Sequence, residues 1–177
     1  MAQKLSTKEI LEENLANAAP EKLQRVKVVL HNIRSLHNVG SVFRSSDAFG
    51  ISEIIISGYT PTPPRPEITK TAIGAEEFVN WSYVEDPTDT FNELKKKGYT
   101  IFGMEQTTNS IPLTDFDTQQ YEDICIVMGN EVTGIDEDIL SHIGQFIMIP
   151  QFGQKHSLNV SVAAAVMLYA LLEKMSH

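Results

Sequence analysis

The sequence predicts an α/β fold, a mainly parallel sheet with helices on both faces. Three observations carry this prediction. Short β-branched runs alternate with stretches of helical spacing, several runs are apolar throughout as doubly covered strands are, and polar loops marked by glycine or proline follow the strands. No internal repeat interrupts the alternation, and the 177 residues suit one domain, with residues 1–25 a short helical extension.

In that extension Ile10, Leu11, Leu15 and Leu23 recur at helical spacing, with Ala16, Ala18 and Ala19 between them and Pro20 breaking the run, so one or two short helices are expected. Val26 to His31 is the first strand. The polar loop after it feeds a helix that ends at Gly50, a C-cap glycine. Glu53 to Ser57 is the second strand, and Gly58 to Pro66 is too proline-rich for regular structure. Ile68 to Phe78 reads as a helix and Trp81 to Val84 as a strand. Pro87 to Lys97 reads as a helix capped by Asp86 and closed by Gly98. Tyr99 to Phe102 and Ile124 to Met128 are further strands, followed by a short acidic helix.

The closing stretch, Ile147 to His177, joins an apolar strand, Gln145 to Ile149, to a helix. Pro150 ends the strand by removing a backbone donor. In the helix, Leu158, Val162, Ala165, Val166, Tyr169 and Leu172 recur on one face, and either Ser157 or Asn159 serves as its cap.

Composition narrows the function classes. The single Cys125 lies in an apolar run and supports neither a disulfide framework nor a cysteine-based zinc site. It fits a reducing cytoplasm. The polar start implies no signal peptide, no apolar stretch is long enough to span a bilayer, and neither a metal nor a membrane partner is expected. A net charge of −9 argues against indiscriminate nucleic-acid binding. Specific binding requires basic residues gathered on one face, for which Lys22, Arg25, Lys27, Arg34, Arg44, Arg65, Lys70 and Lys155 are candidates.

Asn32 to Gly50 occupies the place of a dinucleotide-binding loop, yet holds only Gly40, so the usual phosphate cradle is absent. Asn38 either caps the following helix or serves a site. Arg44 either pairs with Asp47 or Glu53, or points into the crevice where parallel sheets bind ligands. Gly103 to Gln106, Gly129 to Glu131 and Pro150 to Asn159 follow three strands of the second half. If these strands are parallel neighbours, one pocket is lined from all three loops.

Three segments in order, Asn32 to Gly50 with Asn38 and Arg44, Met128-Gly129-Asn130-Glu131 with Gly134, and Ile149-Pro150 running to Ser157-Leu158-Asn159-Val160-Ser161, resemble the ordered motifs of the SpoU (TrmH-like) RNA 2′-O-ribose methyltransferases of the SPOUT superfamily. The resemblance spans roughly residues 26 to 172. It implies an S-adenosylmethionine-dependent enzyme, a homodimer, and a deep C-terminal trefoil knot, a threading that general topology rules discard.

Carried over residue by residue, the resemblance places the cofactor against Met104, Gly129, Ile149, Ser157 and Leu158. Arg44 matches the family's catalytic arginine, with Asn38, Glu131, Ser157 and Asn159 orienting it and the ribose. A guanidinium is a poor base, so stabilising a developing oxyanion or gripping a phosphate suits Arg44 better than taking a proton. Glu131 offers a planar fork the carboxylate it prefers. Arg44 of one subunit is a candidate to serve the other's cofactor.

At this length, the separate N-terminal RNA-binding domain that some relatives add is not expected, which favours tRNA over rRNA as the partner. Two other classes stay open: an RNA-binding protein of the same fold without catalysis, and an α/β enzyme acting on a small acidic or nucleotide substrate.

Overall fold

The computed structural model describes residues 2–17 and 19–176. Ala18, expected in the N-terminal helical stretch, and His177, the end of the closing stretch, lie outside them. Helix α1 (Thr7–Ala16) and a 3-10 turn (Glu21–Arg25) lead into β1 (Val26–His31), α2 (Leu36–Phe49), β2 (Glu53–Ser57), α3 (Pro66–Ala72), a second 3-10 turn (Ala75–Glu77) and β3 (Trp81–Val84). The second half runs α4 (Thr88–Lys96), β4 (Tyr99–Met104), β5 (Ile111–Pro112), β6 (Asp123–Met128), α5 (Glu137–Leu140), β7 (Gln145–Met148) and α6 (Val160–Met175).

The strands form one sheet in the order β3-β2-β1-β6-β4-β7-β5, and every neighbouring pair is parallel. Both faces are apolar because successive side chains alternate between them. Val28, Leu30, Ile54, Ile126 and Phe102 pack on one side with Phe43 of α2, Ile68 of α3 and Met167 and Leu171 of α6. Val29, Ile55, Cys125 and Val127 pack on the other with Phe91 and Leu94 of α4 and Ile139 of α5. Cys125 is fully buried, and burial pushes its thiol up to about 12, so it stays protonated and inert.

Gly40 is what lets α2 meet α3. A Cβ there would sit 2.3 Å from the Ile68 carbonyl oxygen and 2.2 Å from Thr71 Oγ1, which donates to the His37 carbonyl at 3.0 Å. Backbone cannot yield as a flexible side-chain tip can. Gly40→Ala is therefore expected to lower stability by about 1–3 kcal/mol, the usual cost of overpacking, as read from the midpoint of urea unfolding.

Several sequence expectations need correction. The single helix over Ile68 to Phe78 is two pieces: α3 starts at Pro66, a favoured N1 residue, and stops where Ile73 (φ 53°) and Gly74 (φ 88°) take left-handed conformations. Strand β4 continues through Met104, two residues beyond expectation, since its end pairs with β7. Strand β7 ends at Met148 rather than Ile149. The two-residue β5 has no counterpart in the sequence prediction; it exists by pairing with β7.

Helix α6 buries a different stripe from the one expected. Val160, Ala164, Met167, Leu168, Leu171 and Met175 face the core, while Val162, Val166 and Tyr169 are exposed, the last at 52%, together with the preceding Leu158. The helix is apolar nearly all round, so periodicity alone cannot choose its inner face. Helix α1 forms with a capping box, Ser6 N donating to Glu9 at 2.7 Å and Glu9 N to Ser6 Oγ at 3.3 Å, but buries none of its residues.

Candidate active site

Because β6, β4 and β7 are parallel neighbours, the segments that follow them emerge on one edge of the sheet, beside the loop between β1 and α2. Together they enclose a cleft of ≈ 390 Å³, within the size range of small-molecule sites. Met104, Gly129, Ile149, Ser157 and Leu158 all line it, as does Glu131. Asn38, Asn159 and Arg44 are not among its walls.

The loop after β6 is closed on itself. Asn130 and Gly134 exchange backbone hydrogen bonds at 2.9 and 3.0 Å, and a Cβ on Gly129 would lie 2.5 Å from Gly134 and Ile135 backbone atoms. Gly134 takes φ +73°. Its neighbour Ile135 N donates at 3.0 Å to Glu105 Oε2, which ties this loop to the end of β4. Gln106 Nε2 in turn donates to the His156 carbonyl at 3.1 Å, tying the end of β4 to the loop after β7.

Glu131 joins the two halves of the sheet. Its carboxylate accepts from Arg34 N at 3.0 Å, Ser35 N at 3.1 Å and Asn38 Nδ2 at 2.9 Å. Asn38 Oδ1 then accepts from Asn159 Nδ2 at 3.0 Å. A continuous polar path therefore runs from the loop after β6, through the start of α2, to the start of α6. Partial burial pulls the Glu131 carboxyl upward, but the bonds from Arg34, Asn38 and Ser35 outweigh it and hold the group below its ordinary value.

That shift fixes a pH dependence. A carboxyl depressed in the folded state contributes its full stability above the unfolded value and loses it as pH falls through the folded one. Acid unfolding of Glu131→Gln is expected to lose part of its pH dependence below the ordinary carboxylate range. The check is the unfolding midpoint across an acid pH series, wild type against variant.

The structure also decides four points that the sequence suggested or left open for these side chains. Ser35, not Asn38, is the N-cap of α2, its hydroxyl accepting from Asn38 N at 3.3 Å. Glu131 is engaged by backbone N–H groups and Asn38 and makes no ion pair with Arg44 among the described residues. Arg44 is exposed on α2 and makes no ion pair with Asp47 or Glu53 among the described residues, Glu53 being paired with Lys27. At the third loop Asn159 rather than Ser157 is the cap of α6: its Oδ1 accepts from Ser161 N at 2.9 Å and Val162 N at 3.4 Å. Capping and the contact to Asn38 use different atoms of one side chain.

Sequence reasoning passed over three residues that shape this edge. Asn130 is buried and uses its whole amide: Nδ2 donates to the Asn32 carbonyl and Tyr59 Oη, both at 2.8 Å, and Oδ1 accepts from Val132 N and Thr133 N at 2.8 and 3.0 Å. It sits inside the Gly129-Asn130-Glu131 motif, which was the available signal. Glu105 lies in a loop already singled out. Asn32, at φ 56°, bonds Asp136, and Asp136 lies 3.2 Å from the buried His31; only the fold brings these groups together.

The fold and this edge define an α/β protein with a ligand cleft at the carboxyl ends of parallel strands, the place where such sheets bind nucleotides. The sequence model of the SpoU rRNA methylase family matches residues 25–169, and the chain belongs to that family.

A curated protein of Staphylococcus haemolyticus, named for the TrmH family of tRNA/rRNA methyltransferases, is 32% identical over 148 residues, 83% of this chain and 58% of its own. The chain thus spans less than two thirds of that relative. The SpoU methyltransferase AviRb of Streptomyces viridochromogenes shares the fold with a TM-score of 0.79 at 21% identity, over 90% of this chain and 65% of its own. An AdoMet-bound rRNA methyltransferase of Sinorhizobium meliloti has a TM-score of 0.76 at 25% identity, over 86% of this chain and 57% of its own.

Proposed function

We propose that the chain is an S-adenosylmethionine-dependent RNA methyltransferase acting on a ribose 2′-hydroxyl, with tRNA placed first and rRNA as the alternative. The observation that carries this is the Glu131–Asn38–Asn159 path beside a cleft lined by all five residues expected to hold the cofactor. The solved relative with AdoMet bound supports the choice of cofactor.

The residues present suit that group. Met104, Ile149 and Leu158 offer apolar walls for an adenine, Gly129 brings backbone close without a side chain, and the carboxylates of Glu105 and Glu131 favour a cationic sulfonium. When bound, S-adenosylmethionine supplies an electrophilic methyl group. The chain's task is to align a ribose oxygen with it and to stabilise charge developing on that oxygen. Asn38 and Asn159 lock each other's amides, so the loops that position the ribose keep one geometry. Arg44, exposed and without an ion pair among the described residues, is free to hold a phosphate or the oxyanion.

Two assembly features belong to the same proposal. The exposed Val162, Val166 and Tyr169 of α6, with Leu158 just before it, form an apolar surface; α6 packs beside α2, and this supports a homodimer in which Arg44 reaches the partner's cleft. In the sheet, β7 lies between β4 and β5, two strands that precede both it and β6 in the chain, which supports the trefoil knot. The whole acts as one catalytic unit with residues 1–25 as an extension. A cytoplasmic setting suits it, and no helix among the described residues is long and apolar enough to cross a membrane.

Incubation with labelled methyl donor and total RNA tests the proposal: label in RNA is expected, and label in no RNA fraction would remove it. Asn159 separates folding from function. Asn159→Asp keeps the cap acceptor but sets a carboxylate against Asn38 Oδ1, so methyl transfer is expected to fall at least tenfold with an unchanged melting temperature. Asn159→Ala should add a cap loss of about 1 kcal/mol.

A further inference from the structure

Beside the cofactor cleft lies a second, open one, lined by Arg34, Tyr59, Asn130, Val132 and Thr133. The two clefts share Asn130, Val132 and Thr133, so they adjoin along the same loop.

Tyr59 is 62% exposed, yet both ends of the residue are fixed. Its hydroxyl accepts from Asn130 Nδ2 at 2.8 Å, and its backbone N–H donates to Asn32 Oδ1 at 3.1 Å. The turn before it needs glycine: Gly58 takes φ +63°, and a Cβ there would lie 1.9 Å from Asn32 Oδ1. Asn130, which holds the hydroxyl, is itself fixed by bonds to Asn32, Val132 and Thr133. An isolated exposed tyrosine is ordinary. One anchored at its hydroxyl and its backbone has lost its freedom before any ligand arrives, which is how a rigid binding face is made.

Arg34 supplies the second part. Its backbone N–H is held by Glu131 at 3.0 Å, and its side chain is exposed, with no ion pair among the described residues. A fixed aromatic face with a free guanidinium beside it is the combination on which unstacked bases are held in single-stranded RNA.

We propose that Tyr59 and Arg34 form a base-binding subsite, which takes an unpaired nucleobase of the RNA next to the ribose presented to the cofactor cleft. This rests on the methyltransferase reading above. Tyr59 provides the stacking face and Arg34 the contact to the base or its phosphate. Asn130 sets their distance from the cleft, because one amide anchors both the ring and the loop that carries Glu131.

The test uses the full chain, with methyl transfer to bulk tRNA read as KM and kcat, and S-adenosylmethionine affinity read by calorimetry. Tyr59→Leu should raise the KM for RNA roughly 5- to 150-fold, the range of one lost base stack, with cofactor affinity unchanged and a melting temperature close to that of Tyr59→Phe, which loses the same bond to Asn130. Tyr59→Phe keeps the ring and should stay within about threefold, as the loss of one neutral hydrogen bond allows. Arg34→Ala should weaken RNA binding and, if it meets phosphate, lower the salt slope by about one. A wild-type KM in Tyr59→Leu, or a fall in its cofactor affinity equal to the loss in KM, overturns the subsite while leaving the methyltransferase reading intact. A wild-type protein that neither binds nor methylates RNA overturns both.

Discussion

Arg44→Ala is expected to lower kcat for methyl transfer by at least roughly 10²-fold, the scale of removing one transition-state donor, while S-adenosylmethionine affinity stays close to wild type. The side chain is exposed on α2, outside the cleft walls, and makes no ion pair among the described residues. Its removal therefore disturbs neither the core nor the cofactor's contacts. Full activity in this variant would sink the catalytic role. Arg44→Lys should recover little, because an ammonium cannot reproduce the planar fork.

Mixing Arg44→Ala with a variant blocked in the cleft, Met104→Trp, asks which protomer Arg44 serves. Action across a dimer restores about a quarter of wild-type activity by random pairing of two protomers. Action within one protomer restores none.

Glu131→Ala is the second large effect. It leaves Arg34 N, Ser35 N and Asn38 Nδ2 without their shared acceptor. Hydrogen bonds to a charged group are worth about 1.5–3 kcal/mol each; water reaches this edge and recovers part of the loss, so a stability loss of roughly 2–4 kcal/mol is expected. Transfer should fall further than stability explains, since the start of α2 and Asn38 lose their tie to the cleft. Glu131→Gln keeps one acceptor oxygen and should lie between. Transfer that declines only in proportion to the folded fraction would reduce Glu131 to a structural tie.

Most of the sheet was legible in the sequence because its strands are β-branched runs bounded by punctuation. Val26 to His31, Glu53 to Ser57 and Trp81 to Val84 occur with the expected ends. What escaped was set by tertiary contact. Ile73 adopts a left-handed conformation that a β-branched residue rarely takes, and β5 is too short to show any period. Helix α6 is apolar on two faces, so its sequence could not say which one turns inward.

The site divides in the same way. The motifs located the loops, and the parallel order of β6, β4 and β7 brought Met104, Gly129, Ile149, Ser157 and Leu158 to one cleft. Which atoms meet could not be read from spacing. Asn38 and Asn159 are 121 positions apart, and Glu131 meets backbone N–H groups rather than the guanidinium that charge complementarity suggested.

The central claim is transfer of a methyl group to a ribose oxygen. Its most direct measurement is incubation of the protein with S-adenosylmethionine carrying an isotopic methyl and unmodified tRNA, followed by digestion to nucleosides and mass analysis. The label should appear on the ribose of a 2′-O-methyl nucleoside, and should vanish with Arg44→Ala. Label on a nucleobase, or its absence from all RNA, would contradict the account.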